Sequence, residues 1–191
     1  MDIRNKTILT NGFESRNNLT QSIKTRWNIT RYFLLTTNFS QGKKENYSEF
    51  LSARDYRILY YEIEPMLNFQ PNTAFRIGIS YKLSDKKNTI GEGQEMAKQQ
   101  KIGTEIKYNV VSKGSFTGNV NYIFINYNGA ENSSLAFEML EGLQAGQNMT
   151  WTVSYQRNLS ENTQLSLTYE GRKSQNTKII HTGGIQVRAY F

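Results

Sequence analysis

The chain has 191 residues, with 23 Lys and Arg against 16 Asp and Glu, a formal charge of +7 and a pI near 9.5. It contains no Cys and one His, which excludes disulfide scaffolds and thiolate metal sites, and its 13% aromatic share argues against a disordered chain. No run reaches the ~18 apolar residues that a membrane-spanning helix needs.

The chain opens on Met-Asp-Ile-Arg-Asn-Lys, without the basic-then-apolar layout of a secretory signal. Taken alone, that start is expected of a cytoplasmic protein, a mature chain or a piece of something longer. From there the hydrophobic period is two nearly everywhere. Strands are predicted over Asp2–Thr10, Asn18–Trp27, Arg31–Gly42 and Arg54–Leu67, where Leu59, Tyr61, Ile63 and Leu67 oppose Tyr60, Glu62 and Glu64. Thr73–Ser84 sets Phe75, Ile77, Ile79, Tyr81 and Leu83 against Arg76, Gly78, Ser80, Lys82 and Ser84. Successive strand side chains point to opposite faces, so each such segment has one apolar and one wet face.

Helical spacing competes only near Gly91–Gln100. Gln100–Val111 then alternates Ile102, Ile106 and Tyr108 with Lys101, Glu105 and Lys107, and Ser115–Tyr127 follows. Asn148–Leu159 places Met149, Trp151, Val153 and Tyr155 against Thr150, Thr152, Ser154 and Gln156, with Arg157 breaching the apolar side. Thr163–Arg172 and Lys178–Phe191 complete about ten strands. Many exceed the ~5–6 residues usual in soluble sheets and match the ~9–11 of a tilted membrane strand. With scarce Pro and with aromatics near strand ends (Trp27, Tyr32, Phe33, Phe69, Tyr81, Tyr127, Trp151, Tyr169, Tyr190 and Phe191), the pattern predicts an all-β chain. Its expected form is a single antiparallel transmembrane β-barrel domain over residues 1–191, closed alone or as part of a larger barrel. A soluble β-sheet binding protein also alternates and is the rival architecture.

Barrels of this kind have short periplasmic turns and longer external loops. Placing Phe191 at the periplasmic end makes Asn11–Asn17, Lys43–Ala53, Asp85–Lys98, Gly129–Gln147 and Ser174–Thr177 external. Asn28–Thr30, Asn68–Asn72, Ser112–Gly114 and Ser160–Asn162 become periplasmic turns. Leu135, Phe137 and Met139 alternate with Ala136 and Glu138, so Ser134–Leu143 reads as an extended arm above the membrane.

The last strand ends Gly183-Gly-Ile-Gln-Val-Arg-Ala-Tyr-Phe191, with Ile185, Val187, Ala189 and Phe191 alternating to a terminal aromatic. This resembles the C-terminal signal by which the insertion machinery of the outer membrane recognises barrels, in which an exposed edge pairs by strand addition. The segments Phe137–Asn148, Trp151, Tyr155–Leu159, Tyr169–Arg172 and His181–Gly184 resemble the ends of large outer-membrane proteins of Bacteroidota. That resemblance covers about the last 55 residues closely. It implies an outer-membrane location and a C-terminal barrel region of a longer protein, some of whose kind serve surface secretion or gliding.

Chemistry is sparse. His181 is the single histidine, Asp occurs only at Asp2, Asp55 and Asp85, and no catalytic set can be assembled around them. The chain is therefore read as a non-enzyme without cofactor or metal. Glu62, Glu64, Arg76, Lys82, Lys101, Glu105, Lys107, Glu170, Arg172 and Arg188 fall mostly on the polar face and are the candidate lumen charges, joined by Lys24 and Arg26. Paired across strands they would fill a small barrel, and unpaired they would favour anions in a channel. External Lys43, Lys44, Lys86, Lys87 and Lys98 are placed to meet lipopolysaccharide phosphates. Nucleic acid is not expected, because the cations are scattered without a stacking motif. The expected role is a structural or anchoring barrel in the outer membrane, belonging to a surface or protein-translocation component. The alternative is a narrow, porin-like solute channel.

Overall fold

The computed structural model describes residues 2–9, 12–91, 94–111, 113–175 and 177–190, and in the first strand only the side chains of Ile3 and Lys6. The described residues form ten strands: β1 (Asp2–Leu9), β2 (Gly12–Asn28), β3 (Phe33–Ser48), β4 (Tyr56–Phe69), β5 (Phe75–Asn88), β6 (Met96–Val110), β7 (Gly114–Tyr127), β8 (Gly146–Ser160), β9 (Thr163–Ser174) and β10 (Ile180–Ala189). Period-two alternation and β-branched or aromatic residues favour these elements locally. Every strand pairs antiparallel with its sequence neighbour, so the spatial order is β1 through β10 without a crossover. Among the described residues, only the β8–β9 pair shifts register, between Asn158 and Ser160.

The sheet is open. Neither β1 nor β10 has a second partner among the described residues, and β10 is exposed along its whole length. Among the described residues β1 pairs with β2 from Leu19 to Gly12, which leaves Gln21–Asn28 of β2 without a described strand partner on that side. The all-β antiparallel architecture expected from alternation is present, while the expected closure is not seen.

Two segments depart from the local expectation. Of the external loop expected at Asn11–Asn17, Asn11 lies outside the described residues and Gly12–Asn17 begin β2 instead. The segment taken for an extended arm, Ser134–Leu143, contains α1 (Ser134–Met139). Leu135, Ala136, Met139, Leu140 and Leu143 recur at helical spacing, and Ser133 caps the start, its hydroxyl accepting from the Ala136 N–H at 3.0 Å. The helical stripe prevails over the Leu135–Phe137–Met139 alternation because it has a wall to bury against.

That wall is one face of the sheet. Leu135, Ala136, Met139 and Leu140 are buried in a cluster with Tyr56 and Ile58 of β4, Ala97 of β6, and Ile123 and Ile125 of β7. The connection also reaches Lys44 on β3 and Lys86 on β5. A six-residue helix is ~9 Å long, whereas five flat strands span ~19 Å. The sheet therefore curls around α1, and the face toward it is concave. Tyr60 passes over β3 to meet Thr20 on β2, oxygen to oxygen at 2.6 Å. Gly42 lies beneath that crossing, where a Cβ would collide with the Tyr60 ring and the Leu19 carbonyl.

Candidate functional site: a two-faced sheet and its helical plug

The register assigns each residue to a face. On the convex side, β5 presents Phe75, Ile77, Ile79, Tyr81 and Leu83, paired with Ile102, Ile106 and Tyr108 of β6 through Thr104 between them. β7 adds Phe116, Val120, Tyr122 and Phe124, and β8 adds Met149, Trp151, Val153 and Tyr155. Many of these large side chains stand in the open, including Ile79 at 56%, Ile102 at 54% and Ile23 at 66% exposure. Scattered exposed apolar residues are ordinary, but a continuous patch across a sheet marks an interaction surface.

The band has edges. Phe75, Tyr108, Phe116 and Tyr155 form one in-register row across β5, β6, β7 and β8, and Phe33 meets Phe69 at 5.0 Å between ring centres. All lie at the end of the sheet that carries the connections after β2, β4, β6 and β8. Toward the opposite end the same convex face turns polar. Glu45 accepts from Arg57 at 2.8 Å and meets Lys43 at 3.1 Å, while Lys98 faces Asp85 at 4.0 Å. The apolar stretch of β5, Phe75 to Leu83, is nine residues. At ~3.4 Å per residue and a tilt near 45°, nine residues rise about 20 Å, close to the ~25 Å apolar band of a membrane barrel.

Of the expected aromatic girdle, Trp27, Phe33, Phe69, Tyr81, Trp151 and Tyr169 lie on this face. Tyr127 does not: it points to the concave side and packs against the α1 cluster. Phe191 lies outside the described residues. Trp151 covers Gly171, its partner on β9, where any Cβ would run into the indole. His181 belongs to the same convex cluster, stacked on Tyr169 at 5.9 Å, with its Nδ1 2.8 Å from the Tyr169 hydroxyl.

The concave face carries the charges. Lys82 pairs with Glu62 at 2.9 Å and Lys101 reaches across β5 to Glu64 at 2.9 Å. Glu105 is shared by Arg76 and Lys107, each at 3.0 Å. Six of the expected lumen charges are thus brought into cross-strand pairs, and Lys107 joins Glu105 along β6. Glu170, Arg172 and Arg188 lie on the same face by register and form no ion pair among the described residues. Ile185 and Val187 point to the convex side, as does Ala189.

Periodicity did not reveal how α1 is held. Lys86, almost buried, donates to the Met139 carbonyl at 3.1 Å and to Glu141 at 2.6 Å. Lys44 pairs with Glu138 at 2.5 Å. Both lysines, expected as external cations facing lipopolysaccharide, fasten the plug. Burial pushes the Glu141 carboxyl up, yet Lys86, Lys82 and Lys44 outweigh it and hold the group below its ordinary 4.5. A signal was present in the sequence: Tyr56, Ile58, Ala97, Ile123 and Ile125 are apolar residues on an otherwise polar face, and they coincide with the footprint of α1. Burying Leu135, Met139 and Leu140 contributes ~1.5–3 kcal/mol each.

Among the described residues, no three His, Asp or Glu side chains converge as a metal site requires. No helix among the described residues is long and apolar enough to cross a membrane. No protein-family model matches the chain, and no curated protein or solved structure is significantly similar to it.

Proposed function

We propose that the chain is the wall of a transmembrane β-barrel in the bacterial outer membrane and serves as an anchor for a surface or protein-translocation component. One observation carries the reading: a convex apolar band bounded by an aromatic row on one side and by ion-paired polar residues on the other, opposite a concave face of paired charges. A soluble sandwich would bury the apolar face; here it is the face left bare. The concave side is filled rather than open at one end, because α1 and its lysine tethers occupy it, which favours an anchoring role. A narrow solute channel is the second reading. Its support is that the concave face stays polar beyond the footprint of α1 and carries cations without carboxylate partners.

In hydrocarbon the free edges of β1 and β10 cannot stay unpaired. The reading therefore requires them to pair with one another or with further strands. Ile185, Val187, Ala189 and Phe191 are the residues proposed to engage the insertion machinery, and the convex band is proposed to meet membrane lipid, with lipopolysaccharide at the polar end. The test is refolding into detergent or lipid, followed by electrophoresis with and without boiling. A form that folds only with amphiphile and migrates differently after boiling is expected. A protein that stays dissolved and folded without amphiphile overturns the proposal.

A further inference from the structure

We infer that a groove between the β2–β3 and β4–β5 turns binds an oxyanion, with phosphate as the best match. This site is independent of whether the sheet lies in a bilayer. The groove holds about 680 Å³ and is lined by Arg26, Asn28, Arg31, Tyr32, Gln70 and Asn72 among others, with no carboxylate in the lining.

The two turns are built as one unit. The Gln70 N–H donates to the Tyr32 carbonyl at 2.8 Å. Thr30 and Asn72 each accept two backbone N–H groups of their own turns, at distances from 2.8 to 3.3 Å. Arg31 is held over the Tyr32 ring, 4.5 Å from its centre, and donates to the Tyr32 hydroxyl. Its guanidinium is therefore fixed in place without being neutralised. Arg26 projects from the concave face of β2 beside it, and Lys24 follows on the same face.

The cations on the concave face of β3 to β6 are neutralised, whereas those lining this groove are not; Arg172 and Arg188, also without carboxylates among the described residues, lie outside it. Lys44, Arg76, Lys82, Lys86, Lys101 and Lys107 each have a carboxylate within 3.0 Å. Among the described residues, Arg26 and Arg31 have none. Two guanidiniums facing one groove present forked donors that suit the several oxygens of a phosphate. The volume exceeds what inorganic phosphate needs, so the phosphate can be free or borne on a larger molecule such as a phospholipid.

The experiment follows the arginine Nε–Hε resonances of the folded protein in zwitterionic detergent, titrated with sodium phosphate against sodium chloride at equal ionic strength. Two arginine signals are expected to move saturably with phosphate alone. Arg26→Gln and Arg31→Gln should each weaken the affinity about tenfold, as loss of one charge-assisted contact predicts. Arg157→Gln, at the same end of the sheet but outside the groove, should leave it unchanged. A second arm transfers the protein from vesicles of digalactosyldiacylglycerol, a phosphate-free bilayer lipid, to vesicles that include phosphatidylglycerol. A response there as well assigns the site to a lipid-borne phosphate; a response to free phosphate alone assigns it to a soluble anion. If neither probe moves an arginine signal, or if the shifts persist in the double variant, the inference is overturned.

Discussion

At the scale of single residues, the concave face is shaped by what is missing as much as by what is present. Gly42 lets Tyr60 lie flat across β3 and bond Thr20, so two strands that are not neighbours share a contact. A valine there meets both a ring and a backbone carbonyl, and only the ring can move. Gly42→Val is expected to destabilise the fold by about 1–3 kcal/mol, the usual cost of overpacking, measured by denaturant unfolding with the wild type in the same detergent. Gly171 serves the opposite face in the same way, leaving room for Trp151. His181, the one residue with any catalytic potential on paper, is packed and hydrogen-bonded between aromatics on the convex side.

At the scale of elements, α1 is fastened by charge as well as by its apolar footprint. Glu141 has a lowered pKa, so its contribution to docking is complete above 4.5 and is lost as the pH falls through the lower value of the docked state. Acidification below the ordinary carboxylate range should therefore loosen α1, still held by its apolar footprint, while the strands remain paired. Amide exchange over residues 134–141, corrected for intrinsic rate, should rise at low pH in the wild type. In Glu141→Gln that pH dependence should be largely absent. An unchanged profile between the two would remove Glu141 from the docking account. The strands themselves behave differently: their ladders run the length of the sheet and do not depend on any one ion pair.

At the scale of the whole molecule, the faces decide where the protein can reside. Ile79 sits midway along the apolar stretch of β5 and is 56% exposed. If that stretch faces hydrocarbon, Ile79→Arg should cost about 2–4 kcal/mol of folding free energy in phospholipid vesicles. Thr182→Arg, on the concave side of β10, should change it by no more than about 0.5 kcal/mol. Equal, small effects at both positions would place the convex face in water. The open edges carry a second consequence, since an unpaired β10 exposes a full row of backbone donors and acceptors that a partner strand would satisfy.

The sequence alone determined most of the strands and their two faces. Alternation is a local property, and segments such as Phe75–Leu83 and Met149–Tyr155 carry it without reference to any neighbour. It also separated Glu62, Lys82 and Lys101 from the apolar side, though not who pairs with whom, because pairing needs the register between strands. The helix was missed because Leu135–Leu143 satisfies both periods, and only the apolar footprint of Tyr56, Ile58, Ala97, Ile123 and Ile125 on the facing wall chooses between them. Likewise, Lys44 and Lys86 read as solvent cations until the curled sheet brought Glu138 and Glu141 to them. Contacts between residues far apart in the chain depend on curvature and register, and neither is written in the period of a single strand.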